Sequence, residues 1–300
     1  MKKSVSLLLA ALMLTGALAG CGSSASTSAG AQDSSAADTG VSGAITVISR
    51  EDGSGTRGAF VELTGVEEKN ADGQKVDNTT ADAEIANKTD VVLTSVAGNE
   101  KAIGYISLGA LNDTVKAVKV DGAEATVDNV KAGAYKLSRP FNIATKGEPT
   151  GVAKDFINFI LSKDGQAVVT DNKYIAVDDA ADAFVSDGSS GKIAVGGSSS
   201  VSPVMEKLIE AYKNVNPNAA IDLQTSDSTS GMTGAMDGTF DIGMASRELK
   251  DEEAAQLTGT AIALDGIAVI VNPANAIDEL SMDQIKSIYV GDITDWSDLA

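Results

Sequence analysis

The 300-residue chain is 43% hydrophobic and only 4% aromatic, and its 23 basic and 42 acidic residues give a net charge of −19. This balance fits a soluble globular protein of one large or two smaller domains, and the acidic excess disfavours nucleic acid as a partner. The sequence has no histidine and a single cysteine, Cys21. It therefore excludes a Ser-His-Asp triad, an internal disulfide and an ordinary zinc site.

The N-terminus has the pattern of a bacterial lipoprotein signal. Lys2 and Lys3 precede an apolar run over residues 5–14, and Leu18-Ala19-Gly20-Cys21 matches a lipobox. We predict a signal peptide over residues 1–20, lipidation at Cys21, a flexible tether over residues 21–43, and an extracytoplasmic protein anchored to the cell membrane. The alternative is an ordinary cleavage site followed by a free thiol. Removal of residues 1–20 takes away two lysines and no acid, so the net charge falls from −19 to −21.

A candidate anion cradle spans Ser49–Arg57, with the sequence Ser-Arg-Glu-Asp-Gly-Ser-Gly-Thr-Arg. It joins a short strand over residues 44–48 to a helix after Thr56, and helix N-termini present unpaired N–H groups that attract anions. The loop also supplies glycines for close backbone approach, hydroxyl groups and a planar arginine fork (Gly53, Gly55, Ser54, Thr56 and Arg50). An ordinary Gly/Ser turn with surface charges has the same composition.

Between the cradle and residue 177 the pattern indicates alternating strands and helices. Residues 69–88 are polar, and we expect a loop and a short helix there. Residues 102–109, 115–120 and 141–145 predict strands, and residues 126–134, 151–162 and 164–170 predict helices. Residues 178–191 form a linker-like stretch rich in Asp, Ala, Ser and Gly.

Two further Ser/Gly loops follow this linker. A strand at 192–195 leads through Gly-Gly-Ser-Ser-Ser into a helix at 203–215, and a strand at 221–223 leads through residues 226–231 into a helix at 232–236. With the cradle, three such loops offer enough N–H and O–H groups to replace the hydration shell of a tetrahedral anion. The chain continues with strands at 241–246 and 262–271, an acidic helix at 250–257 and a helix at 281–289.

Four motifs carry a resemblance to the phosphate-binding lipoproteins that serve bacterial phosphate ABC transporters. They are Gly197–Pro203, Asp241–Arg247, Leu264–Pro273, and Ser49–Arg57 together with Ala102–Gly109, and the resemblance spans nearly all of residues 44–300. It implies an α/β, two-lobe periplasmic-binding-protein-like fold of type II, with mixed sheets flanked by helices and a ligand cleft between the lobes. It also implies a monomer that delivers inorganic phosphate to permease subunits, without a cofactor, a metal or catalysis.

The order of the halves differs from the order that we expect for that family. Residues 44–177 resemble the usual second half, residues 192–300 resemble the usual first half, and residues 178–191 join the two. A circular permutation is the simplest interpretation, although recombination between tandem copies would give the same sequence. We therefore expect one lobe from 44–137 with 272–300 and another from 138–177 with 192–271. The crossing strands would lie near 138–143 and 266–271, and Ala44 would lie close to residues 296–300.

The resemblance assigns ligand contacts position by position to residues of the three loops (Arg50, Ser54, Gly55, Thr56, Ser199, Ser200, the backbone of Val201, and Ser228). Asp52 resembles the carboxylate that orients the family's arginine. Some members place an acid after the Ala-Ser that corresponds to residues 245–246, where it accepts the proton of hydrogen phosphate. This chain has Arg247 there, which we include in the candidate site. Either Asp52 takes that role or phosphate is selected over sulfate less strongly.

Three other functions remain open at this point. The same fold binds other tetrahedral oxyanions, such as sulfate or molybdate. A rearranged chain could also be a surface lipoprotein that binds no solute. A hydrolase with a loop serine as nucleophile would need a Ser-Lys pair, and no Ser-x-x-Lys stands at a helix start in the three loops.

Overall fold

The structure is a computed structural model that describes residues 42–299, so the predicted signal peptide, Cys21, nearly all of the tether and Ala300 lie outside the described residues. The strands are β1 (Thr46–Arg50), β2 (Glu67–Lys69), β3 (Lys75–Asp77), β4 (Glu84–Ala86), β5 (Ala102–Ser107), β6 (Lys116–Ala117), β7 (Lys119–Val120), β8 (Ser138–Thr145), β9 (Gly191–Ser198), β10 (Ala219–Ser226), β11 (Ile242–Ala245), β12 (Thr258–Val271) and β13 (Glu279–Leu280). The helices are α1 (Gly55–Thr64), α2 (Thr89–Ala97), α3 (Val127–Lys131), α4 (Gly151–Leu161), α5 (Lys163–Asp171), α6 (Ser202–Val215), α7 (Ser228–Asp237), α8 (Asp251–Ala254) and α9 (Met282–Val290).

One mixed sheet runs through the described chain in the order β10-β9-β11-β8-β12-β5-β1-β4, with β6 paired to β12. At one end β9, β10 and β11 are parallel, and at the other end β1, β4 and β5 are parallel. The antiparallel strands β8 and β12 connect the two ends. The expectation of an α/β fold with mixed sheets flanked by helices is confirmed.

Two large hydrophobic cores lie along this sheet. The first core draws on residues 47–137, Ile175 and residues 267–296, and the second draws on residues 141–263. Strand β8 passes from one core to the other between Leu137 and Phe141, and β12 does so between Ala263 and Ile267. Both crossings therefore fall where β8 and β12 pair side by side.

Most elements lie where the sequence pattern places them, although α7 and β12 each begin four residues before their predicted starts at 232 and 262. Helix α6, for example, starts with Pro203 near its N-terminus and buries Val204, Leu208, Ile209 and Tyr212 on one face, as their spacing predicts. The segment 69–88 differs, because it forms short strands and no helix. Strands β2 and β3 form an antiparallel pair, and β4 completes the sheet edge beside β1. The acidic helix is also shorter than expected and covers only Asp251–Ala254.

The two ends of the described chain lie side by side. Ala44 and Asp295 form an antiparallel bridge. The Ile45 N–H donates to the Thr294 carbonyl at 2.8 Å, and the Trp296 N–H donates to the Gly43 carbonyl at 3.2 Å. The expected proximity of Ala44 to the C-terminal segment is therefore observed up to Trp296.

Residues 178–191 pack on the second core although they form almost no regular structure. The Phe184 ring meets Phe159 edge-on at 5.2 Å, and Asp155 accepts hydrogen bonds from Ser186 and from the Asp187 N–H. These contacts fix the segment against α4. Across residues 42–299, every helix is too short or too polar to span a membrane.

Candidate functional site

The site lies where strands from both ends of the sheet finish. Strands β1 and β4 lead into the N-termini of α1 and α2, and β9 and β10 lead into the N-termini of α6 and α7. Carboxyl ends of parallel strands meet at one edge of a sheet, and helix N-termini bring unpaired N–H groups to the same place. Strand β11 ends there as well and is followed by Ser246 and Arg247.

Seven hydroxyl side chains form what we call the hydroxyl cluster, and all are buried (Thr56, Thr89, Ser198, Ser199, Ser200, Ser228 and Ser246). The Thr56 and Ser200 hydroxyls are 2.8 Å apart, and Thr89 lies 3.2 Å from Ser200. Ser246 is 3.0 Å from Ser198 and 3.4 Å from Ser228. Thr56 and Thr89 follow strands that border the first core, whereas the serines follow strands of the second core. The cluster therefore joins the two parts of the molecule.

Glycine is required where the loops meet most closely. A Cβ atom at Gly55 would collide with the Ser228 hydroxyl and would lie 2.8 Å from that of Ser246. Gly53 accepts a backbone hydrogen bond of 3.1 Å from Thr229, so the cradle and the loop before α7 are also joined through their main chains. Gly55 therefore allows the loops to approach each other, and its predicted role in close approach to a ligand stays a prediction.

Arg50 is the cation of the site, and it is only 2% exposed. Its Nε and Nη2 atoms donate to the two carboxylate oxygens of Glu51, each at 2.8 Å. Nε also donates to the Ala86 carbonyl, and Nη2 donates to the Ser199 hydroxyl at 3.2 Å. Within residues 42–299, Nη1 has no hydrogen-bond partner, so this end of the fork can bind an anion.

The structure corrects the predicted role of Asp52. The Asp52 side chain is 97% exposed and pairs with Arg57 at 2.8 Å, so it does not orient Arg50. Glu51 makes that contact instead. The two acids are neighbours in a loop, and their chain positions alone do not determine which carboxylate turns inward.

Arg247 is also held by a carboxylate. Its Nη1 and Nη2 atoms donate to the two oxygens of Glu253 at 2.7 and 2.8 Å, and the Glu253 carboxyl is buried. Burial alone would raise the pKa of Glu253, but the hydrogen bonds from Arg247 and from the Lys250 N–H outweigh it, and the pKa is lowered. The Arg247 fork is therefore occupied beside the site, and its stem lies near Gly55.

Two other predicted residues have local roles. Ser54 is the N-cap of α1 and accepts a hydrogen bond from the Arg57 N–H at 3.3 Å. The Val201 N–H, which we expected to face a ligand, donates to the Ser198 carbonyl at 3.0 Å and is already used within its loop. The side chain of Val201 is buried in the second core.

Four site residues were missing from the sequence-based set. Thr89, Ser198 and Ser246 belong to the hydroxyl cluster, and Glu51 binds Arg50. For Thr89 a signal existed, because Thr-Asp is typical of a helix start. Ser246 was visible only as part of the motif Asp241–Arg247.

The arrangement suits an anion rather than a metal ion. Hydroxyl groups both donate and accept hydrogen bonds, so they can match either a bare or a protonated oxygen. Along residues 42–299, no carboxylate hydrogen-bonds to the hydroxyl cluster, and acidic residues form no group of three that could hold a metal. The Arg50–Glu51 pair is neutral overall, which leaves helix N-termini and hydroxyl dipoles as the main attraction for negative charge.

Comparisons with known proteins show the family of the chain. A family model described as a PBP superfamily domain matches residues 25–164 and 183–300. The chain is 52% identical over 301 residues to the phosphate-binding protein PstS 2 of Streptococcus agalactiae serotype V, with 99% of this chain and 98% of that protein covered. A crystal structure of a phosphate-binding protein of a phosphate ABC transporter from Streptococcus pneumoniae TIGR4 is 50% identical, with a TM-score of 0.69, and the match covers 86% of this chain and 100% of that one.

These alignments also bear on the order of the two halves. An alignment through 99% of one chain and 98% of the other requires the same segment order, so the expectation of an order foreign to the family is wrong for the S. agalactiae protein. The phosphate-binding protein PstS of Bacillus subtilis aligns over only 139 residues, 45% of this chain and 42% of that protein, at 37% identity.

Proposed function

Because this chain belongs to the PBP superfamily, we propose that it is a solute-binding protein that captures inorganic phosphate and delivers it to the permease of an ABC importer. The observation that carries the proposal is the hydroxyl cluster, in which buried hydroxyls from both halves of the fold meet and one of them, Ser199, contacts the Arg50 fork. The printed names of the streptococcal relatives support phosphate as the solute.

The proposed ligand contacts follow from the chemistry of the cluster. Phosphate oxygens would accept hydrogen bonds from Arg50 Nη1, from the hydroxyls of Thr56, Ser199, Ser200 and Ser228, and from N–H groups at the helix starts. A protonated phosphate oxygen needs an acceptor, and a serine or threonine oxygen supplies one. Thr89 and Ser246 join this set, whereas Asp52 and Arg247 act only through their neighbours.

We further propose that the two cores are the two lobes of a cleft. Thr56 and Ser200 then face each other across the cleft, and a bound anion would replace their direct contact with hydrogen bonds to its own oxygens. The first core, from residues 47–137 and 267–296, would form one lobe, and the second core, from residues 141–263, would form the other.

Location and assembly complete the proposal. The lipobox at Cys21 favours an extracytoplasmic protein that is anchored to the cell membrane by lipid and acts as a monomer next to its permease. The chain has no proposed catalytic role, and it needs no cofactor to hold an anion.

One specific feature favours a second candidate, another oxyanion such as sulfate or molybdate. Arg247 stands where some relatives are expected to place a proton-accepting acid, and no carboxylate of the described chain contacts the hydroxyl cluster. A site without such an acceptor discriminates less between hydrogen phosphate and sulfate, because neither ligand meets an unpaired acceptor or a repelling charge.

Calorimetric titration of the purified chain with phosphate, sulfate and molybdate tests these alternatives. We expect saturable binding of phosphate and weaker binding of the other two anions. Tighter binding of sulfate or molybdate would support the second candidate. The absence of a binding signal with all three anions would contradict solute binding and favour a surface lipoprotein that binds no solute.

A further inference from the structure

The aromatic residue Tyr105 contacts the backbone of Arg50. It is fully buried in β5, the neighbour of β1 in the sheet. Its hydroxyl accepts a hydrogen bond of 3.1 Å from the Arg50 backbone N–H. The same hydroxyl lies 2.9 Å from that of Ser49, which is also buried, so its single hydrogen has a partner there.

The ring of Tyr105 packs against helix α1, which follows the cradle. It stacks on Phe60 of α1 with ring centroids 3.9 Å apart and planes only 10° apart. Phe60 in turn meets Tyr289 edge-on at 4.7 Å, and the Tyr289 hydroxyl donates to the Ile48 carbonyl in β1. One side chain therefore touches the strand that delivers Arg50 and the helix that begins at Gly55.

We propose that Tyr105 is a positioning residue that fixes the Arg50 fork and the N-terminus of α1 in the geometry that binds the anion. Loop residues 51–54 between these elements make few internal hydrogen bonds, the main one being from the Ser54 N–H to the Glu51 carbonyl. A backbone N–H left without an acceptor in a buried place is unfavourable, so the end of β1 would shift toward another partner if the hydroxyl were lost. Tyr105 touches no ligand itself, and its effect on affinity rests on the proposed function.

A matched pair of variants distinguishes the positioning role of Tyr105 from a general effect on stability. Tyr105→Phe removes the hydroxyl and keeps the stacked ring. Tyr135→Phe removes an equally buried hydroxyl in the same core, which donates to the Ile267 carbonyl at 2.8 Å, away from the cradle. Both variants should lower the melting temperature to a similar degree.

The two variants should differ in binding and in local opening. We expect Tyr105→Phe to weaken phosphate binding by about fivefold or more, and Tyr135→Phe to stay within about twofold of the parent. In ligand-free protein, peptides that cover residues 49–56 should exchange amide hydrogen faster in Tyr105→Phe only. If Tyr105→Phe keeps both parental affinity and parental exchange over residues 49–56, the proposal is overturned.

Hydrogen exchange tests the positioning role of Tyr105 independently of the proposed function. If the parent binds no phosphate, the proposed function fails, and the exchange rates over residues 49–56 still decide whether Tyr105 fixes the cradle. Equal exchange in the two variants would then reject the positioning role.

Discussion

Two buried arginines, Arg50 and Arg139, are bound in opposite ways. Both side chains are 2% exposed, and each is paired with one carboxylate. Arg50 has a bidentate partner, Glu51, which is itself 21% exposed, and it makes two further hydrogen bonds. Arg139 makes a single 3.2 Å contact with Asp265, which is 1% exposed, and its Nε and Nη1 atoms have no partner among residues 42–299.

The difference reflects their places in the fold. Arg50 ends β1 at the site, where Glu51 can remain partly hydrated and the fork can receive a ligand. Arg139 and Asp265 face each other on β8 and β12, where both strands pass between the cores and water is excluded. Burial lowers the pKa of Arg139 to about 10 and raises that of Asp265 to about 6, so their attraction does not fully offset the loss of hydration. At the site, Arg50 is held by Glu51 with Nη1 left for a ligand, whereas at the crossing both Nε and Nη1 of Arg139 lack a partner among residues 42–299.

The largest expected effect comes from breaking the pair at the crossing. Asp265→Ala should lower the free energy of unfolding by about 3–5 kcal/mol, because it leaves the Arg139 charge buried without a partner. The double variant Arg139→Met with Asp265→Leu should restore most of that loss, since it removes both charges. Denaturant unfolding measures both, with Glu210→Ala as the control, because its pair with Lys207 is exposed and contributes little. A loss of unfolding free energy in Asp265→Ala no larger than that in Glu210→Ala would contradict the contrast between Arg139 and Arg50.

The pH dependence of the free energy of unfolding should show the cost of burying the charged Asp265, with a smaller effect than in Asp265→Ala. The folded pKa of Asp265, about 6, lies above its ordinary value of 3.8 because burial disfavours the charged form. The stability from this group is therefore complete below pH 4 and is lost as the pH rises through 6. The variant Asp265→Asn has no titrating group at this position. Relative to that variant, the free energy of unfolding of the parent should fall by at most about 3 kcal/mol between pH 4 and pH 7.

Paired denaturation curves at several pH values test this expectation. Arg139 and Tyr174 are the charged or titratable groups that face Asp265, and neither titrates in this window. Other carboxyls, such as Glu253, have lowered pKa values and act in the opposite direction, so only the difference between the two proteins is informative. A difference that is constant from pH 4 to pH 7 would contradict the raised pKa.

Arg50 should affect the affinity for phosphate more than the stability of the fold. Arg50→Ala should weaken phosphate binding at least tenfold, because a charged hydrogen bond contributes about 1.5–3 kcal/mol. Arg50→Lys should recover only part of the loss, since an ammonium group cannot keep the two parallel bonds to Glu51 while it faces the ligand. Calorimetry gives the affinity and a melting curve gives the stability. Unchanged affinity in both variants would place the site elsewhere.

Much of the site was visible in the sequence as three Ser/Gly loops, each between a strand and a helix start. Local chemistry is enough to predict such loops, because glycine, serine and a helix N-terminus act within a few residues. The sequence did not determine which neighbouring acid binds Arg50, because Glu51 and Asp52 differ only in the direction of their side chains. Nor did it reveal that Thr89 joins Ser200, since that contact links residues 111 positions apart.

The fold was predictable to a similar extent. Strongly periodic segments such as α6 and the long apolar strand β12 were placed correctly, because burial on one or both faces determines their pattern. The segment 69–88 was not, since its short strands are mostly exposed and lack a clear alternation. The expected closeness of the two chain ends is observed, because residues 43–45 pair with residues 294–296.

The smallest expected effect concerns a single hydroxyl beside Arg50. Ser199→Ala should weaken phosphate binding by about threefold, because a neutral hydrogen bond contributes about 0.5–1.5 kcal/mol. The loss is limited since Arg50 Nη2, which now donates to Ser199, becomes free to donate to the anion instead. Ser202→Ala is the matched control, because that hydroxyl is bonded to the Ser198 carbonyl and to Thr225 and has no hydrogen bond to any side-chain hydroxyl of the hydroxyl cluster.

Calorimetry of the two serine variants also sharpens the comparison between the arginines. If Ser199→Ala costs as much affinity as Arg50→Ala, the fork depends on Ser199 for its orientation, and the bond to Glu51 is not sufficient to hold it. If Ser202→Ala weakens binding as much as Ser199→Ala, the effect of both belongs to the loop before α6 and not to a hydroxyl that faces the ligand. An effect of about threefold confined to Ser199→Ala is the result expected of a fork that Glu51 holds and Ser199 only assists.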